Sequence, residues 1–328
     1  MAESMHGGTD ALGVPAHDFS TNRNACGPCP AAVAALQAAH AAQYPDPLYT
    51  GLRARLAAFH AVEQRRILVG GSGSELIHRF SQHAVRSGAG TAALPRHHYG
   101  DYAQAARIWG LQPQPRGELH WLCEPSSPLG RLEEGSADEE AGAGPRRWPV
   151  IDCAYRPLWL EGGPPPRDLD RLWQLWTPNK ALGMTGVRAA YAIAPALAAQ
   201  QELDALRELA PSWVVGAHGV AMLQAWTGGE AQQWLAHSLQ TLRGWKRRQL
   251  ALCERLGWQV LPGHQANYFV ARMPISETVL ARRLEQLRAQ GIKLRDCASF
   301  GLPGHVRLGV LPPASQAALE RAWKEIES

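Results

Sequence analysis

The chain has 328 residues, 45% of them hydrophobic and 19% charged, with a formal net charge of +4. That length exceeds what one hydrophobic core usually serves, so two lobes are expected, and the composition excludes a disordered chain. The charge is too small, and the basic clusters at 65–66, 146–147 and 246–248 too short, to point to nucleic acid.

The first residues lack a basic region followed by an apolar stretch, which predicts a cytoplasmic protein without a secretory signal. The longest mostly apolar stretch, 187–199, is broken by Arg188 and Pro195 and is too short for a membrane span. Of six cysteines, only Cys26 and Cys29 form a C-x-x-C pair, so neither a zinc site nor structural disulfides are expected.

Residues 1–43 open as an irregular arm rich in Gly, Pro and Asn and pass into an Ala-rich helical pattern over 30–43. From Leu52 on, helical patterns alternate with short apolar runs at 66–69, 91–94, 119–123, 149–152, 172–176 and 189–194. Such runs predict a mainly parallel sheet covered on both faces, hence an α/β lobe. The acidic, Gly-rich stretch between Arg131 and Trp148 suits a surface loop. After Pro211 a long helical pattern runs through Trp245 to Leu256, followed by a strand pattern at 268–272, a helix over 276–290 and a strand pattern at 305–309. This order predicts an N-terminal arm (1–43) packing with a small lobe, a large domain (44–226) and a small α+β domain (227–328).

The segment Thr177-Pro-Asn-Lys-Ala-Leu-Gly-Met-Thr-Gly-Val-Arg188 carries the strongest chemical signal. Among the lysines at 180, 246, 293 and 324, Lys180 lies between a strand end and a Gly-rich turn. A partly desolvated lysine beside cationic neighbours has a lowered pKa and can form a Schiff base with an aldehyde, although a lone loop lysine usually decorates a surface. Gly71-Ser-Gly-Ser-Glu75, between a strand and a helix, would turn backbone N–H groups, especially those of Ser74 and Glu75, toward an anion. It lacks the Gly-Lys-Ser/Thr ending of a nucleotide-binding P-loop. His97 and His98, without a partner motif, read as polar surface rather than metal ligands.

In their order these segments resemble the class I/II aminotransferase family of pyridoxal-phosphate (PLP) enzymes, from about residue 6 to residue 310. In that family a lysine holds the cofactor and an arginine eight positions later grips its phosphate, which are the places of Lys180 and Arg188. Thr177 and Asn179 fall where the family usually has serines. Ile151-Asp-Cys-Ala-Tyr155 resembles the family's Asp-x-Ala-Tyr strand end. The match implies Asp152 pairing with the protonated pyridine nitrogen and Tyr155 reaching the ring hydroxyl, while Asp152 by itself also reads as a turn cap. Gly73, Ser74 and Glu75 match the phosphate loop, and Tyr99 the aromatic ring stacked on the cofactor.

Tyr44-Pro-Asp-Pro47 resembles the segment through which a neighbouring subunit's tyrosine reaches the cofactor phosphate, implying a homodimer with Tyr44 contributed across the interface. Arg307, in Val-Arg-Leu-Gly, matches the family's substrate-binding arginine. Arg295 is a second candidate; its alternative is a surface ion pair with Asp296. Either fork suits a carboxylate or a phosphate. There are departures: Glu124-Pro-Ser-Ser-Pro-Leu-Gly130 stands where the family has Asn-Pro-Asn-Asn-Pro-Thr-Gly, so Ser127 replaces the asparagine that contacts the ring oxygen. The stretch at 131–148 is too polar for the helix usual there.

His6-Gly-Gly8 followed by Asp18-Phe-Ser-Thr-Asn22 resembles the start of cobalamin-pathway threonine-phosphate decarboxylases, relatives of histidinol-phosphate aminotransferases. The resemblance implies a fold-type-I PLP-transferase fold, PLP as cofactor, no metal, and a small-molecule amino substrate touched by His6, Gly7, Asn22, Arg295 and Arg307. Decarboxylation of L-threonine-O-3-phosphate is the expected reaction, and histidinol-phosphate-like transamination the alternative. A third reading, a catalytically lapsed binding protein, sits poorly with the joint presence of Lys180, Asp152, Tyr155 and Arg188.

Overall fold

In the computed structural model, which describes residues 7–132 and 148–327, the apolar runs between 66 and 194 assemble into a seven-stranded sheet. A short strand β1 (His17–Asp18) precedes it. The sheet comprises β2 (Ile67–Gly70), β3 (Thr91–Ala93), β4 (Gln112–Pro113), β5 (Leu119–Cys123), β6 (Trp148–Asp152), β7 (Trp173–Trp176) and β8 (Ala190–Ile193), in the order β2-β8-β7-β6-β5-β3-β4. Strands β3 to β7 pair in parallel, and β8 runs antiparallel to both β7 and β2. Every strand but β8 therefore ends at the same edge.

The near-continuous apolarity of these strands follows from burial on both faces. Leu68, Trp121, Val150, Trp173, Leu175 and Ala192 point into one core, while Ile67, Val69, Leu122, Ile151, Trp176 and Tyr191 point into the other. This is the period-two alternation of a pleated strand. The helices in chain order are α1 (Pro30–Gln37), α2 (Thr50–His60), α3 (Gly73–Arg86), α4 (Gly100–Trp109), α5 (Gln200–Glu208), α6 (Ala217–Trp226) and α7 (Gly229–Arg255). The first core takes its helical side from α3, α4 and α5, with Phe80 edge-on to Trp121 and Trp173. The second draws on α2, α6 and α7 and continues into the C-terminal elements.

Those elements are β9 (Gln259–Val260), β10 (Tyr268–Arg272), α8 (Glu277–Ala289), β11 (Ile292–Lys293), β12 (Arg295–Asp296), β13 (His305–Gly309) and α9 (Pro313–Glu327). They form an antiparallel sheet in the order β12-β13-β10-β9, and β1 pairs in parallel with β11. Two helical expectations are corrected. The helix expected over 30–43 stops at Gln37, because residues 40–44 are exposed and offer no buried face to hold another turn. The long helix expected after Pro211 is two, α6 and α7, separated at Thr227 and Gly228. Residues 133–147, most of the expected polar loop, lie outside the described residues, as does His6.

The arm links the two sheets. Gly309 N–H donates to the Phe19 carbonyl, Asn24 N–H to the Lys180 carbonyl at 2.9 Å, and Cys29 N–H to the Leu182 carbonyl at 2.9 Å. The lysine-bearing turn closes through Gly183, whose φ is +70° and whose missing Cβ would lie 2.3 Å from the Gly27 carbonyl. A side chain there meets both a left-handed backbone and a fixed peptide. Gly183→Ala is expected to destabilise the protein by about 2–4 kcal/mol in urea unfolding, whereas Gly186→Ala, with open space at its Cβ, should change the midpoint little.

Candidate active site

The strand ends define where side chains converge. Asp152 ends β6, the Lys180 turn follows β7, the Gly71–Ser74 loop follows β2, Cys123 ends β5 and Tyr99 follows β3. Open α/β sheets bind ligands outside the carboxyl ends of their strands, and a cavity of about 1620 Å³ lies there. Gly7, Asn22, Gly73, Ser74, Tyr99, Ser127, Asp152, Tyr155, Thr177, Asn179, Lys180, Arg188, Arg295 and Arg307 all line it. Glu75 does not: its N–H donates to Ser72 Oγ and its carboxylate accepts from Gly71 N–H and Arg79. Tyr44 is also elsewhere, 77% exposed and stacked on Trp213.

Lys180 Nζ donates to Thr177 Oγ1 at 2.9 Å and lies 5.3 Å from the centre of the Tyr155 ring. Burial pushes its pKa down, the Asp152 carboxylate pulls it up, and Arg188 lowers it further. Asp152 is pushed the opposite way by its own burial, with Lys180 opposing. Its Oδ2 accepts from Tyr102 Oη at 2.6 Å and its Oδ1 from Ala154 N–H at 2.8 Å. Tyr102 stacks on Trp121 with ring centres 4.7 Å apart. Burial pushes the Tyr155 hydroxyl up to about 12, so it keeps its proton at neutral pH.

Beside this pair, α3 begins at Gly73 with Ser72 as its cap, and the first N–H groups of a helix have no intrahelical partner. The bare Cα of Gly73 lets Thr177 approach, since an added Cβ would lie 3.0 Å from Thr177 Cγ2. The Ser74 and Tyr99 hydroxyls are 3.4 Å apart. Arg188, which is exposed, completes a cradle suited to an anion.

The antiparallel sheet supplies the opposite wall. Arg295 and Arg307 are direct partners across β12 and β13, so both side chains leave the same face. Both are buried. Arg307 donates to Ser127 Oγ at 3.2 Å and to the Ser20 carbonyl at 3.0 Å, and its Nε has no partner. Arg295 donates to the Asp296 carbonyl and to Ser299 Oγ, so it forms no ion pair with the Asp296 carboxylate. Both guanidinium groups lie by the Phe300 ring. The buried Asn22 amide also faces the cavity, beside the Tyr155 hydroxyl.

Residues 148–326, more than half of the chain, match the profile of aminotransferase class I and II. The chain belongs to that family. A histidinol-phosphate aminotransferase of Jannaschia sp. is 27% identical over 325 residues, covering 90% of this chain and 87% of its own length. The solved histidinol-phosphate aminotransferase of Sinorhizobium meliloti, in complex with pyridoxal-5'-phosphate, has TM-score 0.78 at 19% identity, covering 93% of this chain and 89% of that one. The L-threonine-O-3-phosphate decarboxylase of Porphyromonas gingivalis has TM-score 0.74 at 21% identity, covering 94% and 98%. The fold is that of fold-type-I PLP enzymes, and membership of the family makes the protein a PLP-dependent aminotransferase-family enzyme.

The residues fit that cofactor. The cavity offers a half-buried amine of lowered pKa, a buried carboxylate, the N-terminus of α3, Arg188 and an unpaired Asn179 Oδ1. Lys180 can hold an aldehyde covalently, Asp152 a protonated ring nitrogen, and Gly73, Ser74 and Arg188 a phosphate. When bound, PLP supplies an electron sink for a bond broken at the substrate's α-carbon.

Sequence reasoning missed Tyr102 as the partner of Asp152, although Tyr-Gly-Asp-Tyr puts Tyr99 and Tyr102 three apart at the head of a helix and hence on one face. It also missed Ser20 and Tyr268, whose contacts are long-range: Tyr268 Oη donates to the Ser126 carbonyl at 2.8 Å. Tyr102→Phe removes one hydrogen bond to a charged group while keeping the stacked ring. It is expected to weaken PLP retention about tenfold, by about 1.5 kcal/mol, measured by equilibrium dialysis against the visible absorbance; unchanged retention would remove Tyr102 from the site.

Proposed function

We propose that the enzyme transfers the amino group of a small phosphorylated primary amine, in the manner of a histidinol-phosphate aminotransferase. The observation that carries this reading is the Arg295–Arg307 pair. Two buried guanidinium groups opposite one another repel, and burial, with Arg307 adding to it, lowers the Arg295 pKa. A phosphate dianion answers both charges, whereas a carboxylate answers one. The relatives named histidinol-phosphate aminotransferase support transamination over the decarboxylation expected from the first residues.

In this reading Lys180 both holds the cofactor and works on the substrate. Burial lowers the Nζ pKa and so favours the neutral amine, the form that can accept the α-carbon proton. Thr177 Oγ1 orients that nitrogen, and Asp152, held by Tyr102, would meet the ring nitrogen of the bound cofactor. Tyr155 serves as a hydrogen-bond donor. Ser127 Oγ accepts from Arg307 and so steadies the guanidinium, and its own O–H remains to be donated toward the ring. The exposure of Tyr44 supports its serving the cavity of a second copy in a homodimer.

Decarboxylation of threonine phosphate is the second reading, favoured by one observation. Gly7 and Gly8, from the run that resembles the decarboxylases, line the cavity. The two reactions differ in which α-carbon bond is broken, so both products are assayed together. Wild type loaded with PLP should convert histidinol phosphate and a 2-oxo acid acceptor to the corresponding oxo compound and amino acid. Carbon dioxide from O-phospho-L-threonine, without amino transfer, would establish the second reading instead. Arg307→Ala should raise KM about 100-fold, the loss of a charge-assisted fork, with PLP affinity nearly unchanged; equal use of the dephosphorylated amine would sink the phosphate assignment. Lys180→Ala should abolish PLP attachment after borohydride reduction, and retained attachment would place the cofactor on another lysine.

A further inference from the structure

Residues 7–16 form a strap along the cavity, and Gly7, Gly8, Thr9, Val14, Pro15 and Ala16 line it. Among the described residues, the hydrogen bonds that leave this strap go to Ser20, Arg288 and Lys293. The Asp10 carboxylate accepts two bonds from Arg288, at 2.9 and 2.7 Å, and lies 2.8 Å from Lys293 Nζ. Arg288 also donates to the Gly13 carbonyl at 2.8 Å, closing a turn in which Asp10 and Gly13 bond to each other. These contacts pin the strap to the last turn of α8 and to the end of β11.

From that anchor a chain of contacts leads to the substrate arginine. Lys293 Nζ donates to the Gly8 carbonyl at 2.6 Å, and Gly8 N–H donates to Ser20 Oγ at 2.8 Å. The Ser20 carbonyl in turn accepts from Arg307 at 3.0 Å. The layers are tight on both sides of this segment: a Cβ on Gly7 would lie 2.2 Å from the Ser20 carbonyl oxygen, and one on Gly309 would lie 2.3 Å from that of Thr21. Strap, Ser20 segment and β13 therefore touch backbone to backbone, so a shift of the strap moves the peptide that orients Arg307.

We propose that Asp10 is a positioning residue for the substrate anion: clamped by Arg288 and Lys293, it holds Gly7 and Gly8 against Ser20 and thereby sets the position of Arg307. The inference rests on the reading that Arg307 binds the phosphate of the substrate. A surface ion cluster with only a structural role would affect unfolding and leave anion binding alone. Lys293 argues against that role, because the same ammonium contacts both the Asp10 carboxylate and the backbone of the cavity wall.

The test uses the PLP-loaded enzyme and inorganic phosphate as probe, with phosphate affinity read by calorimetry and PLP affinity by absorbance. Asp10→Asn is expected to weaken phosphate about fivefold, with PLP affinity unchanged and with recovery in Asp10→Glu. Lys293→Gln, which removes the contact to Gly8 as well, should weaken phosphate in the same direction and guards against poor folding of the first variant. Arg307→Ala is the control. If it loses phosphate while Asp10→Asn and Lys293→Gln bind as wild type, the clamp is overturned and the phosphate reading stands. If Arg307→Ala and Arg295→Ala both bind phosphate as wild type, the phosphate reading falls and the clamp inference with it.

Discussion

The site depends on a buried carboxylate at the end of β6 and a half-buried amine in the turn after the adjacent parallel strand β7. Burial favours the neutral form of each, raising Asp152 and lowering Lys180, while their mutual attraction favours the ionic form of both. The balance is useful for cofactor chemistry, because a lysine must be unprotonated to attack an aldehyde and a carboxylate must be charged to hold a ring cation. Tyr102 and the Ala154 N–H tip Asp152 toward its charged form by donating to it. Trp121 and the first core then hold Tyr102, so the tuning of the site reaches into the packing of the sheet.

That arrangement explains what could be read from the chain. The strands of the large sheet are short apolar runs because both of their faces are buried, and the Lys180 turn follows β7 because a polar, Gly-rich run cannot continue a buried strand. Asp152 and Lys180 were legible for the same reason: each sits at a local change of pattern. The resemblance then added an order of motifs that no single run specifies. What local pattern could not show is the partnership of distant residues. Ser20 with Arg307, Ser127 with Arg307, and Tyr102 with Asp152 are separated by 287, 180 and 50 residues. No periodicity encodes such pairings, since each is decided by how the sheets dock.

Ser127 shows how a departure from a family pattern can carry a contact that the pattern alone does not reveal. As a missing asparagine it suggests a weakened cofactor site. In the fold its hydroxyl accepts from Arg307 and keeps its own O–H to donate into the cavity. Glu124, in the same run, is likewise not a neutral replacement: it is buried and ion-paired with Arg156 and Arg167. A buried carboxylate needs such partners, because breaking them would leave an uncompensated charge. The altered run has therefore brought its own electrostatic support with it.

The remaining constraint is that the Lys180–Asp152 pair and the two cavity arginines belong to different sheets. Lys180 and Asp152 are fixed by the parallel sheet, Arg295 and Arg307 by the antiparallel one, and catalysis needs them in register to within a fraction of an ångström. The segment at 19–29 meets that need. At one end Phe19 accepts from Gly309 and Ser20 from Arg307; at the other, Asn24 and Cys29 donate to the Lys180 turn. Gly183 and Gly309, where an added Cβ would strike that segment's carbonyls, mark the two points at which it presses on each sheet. The arm thus sets the distance between the Lys180 turn and the two cavity arginines.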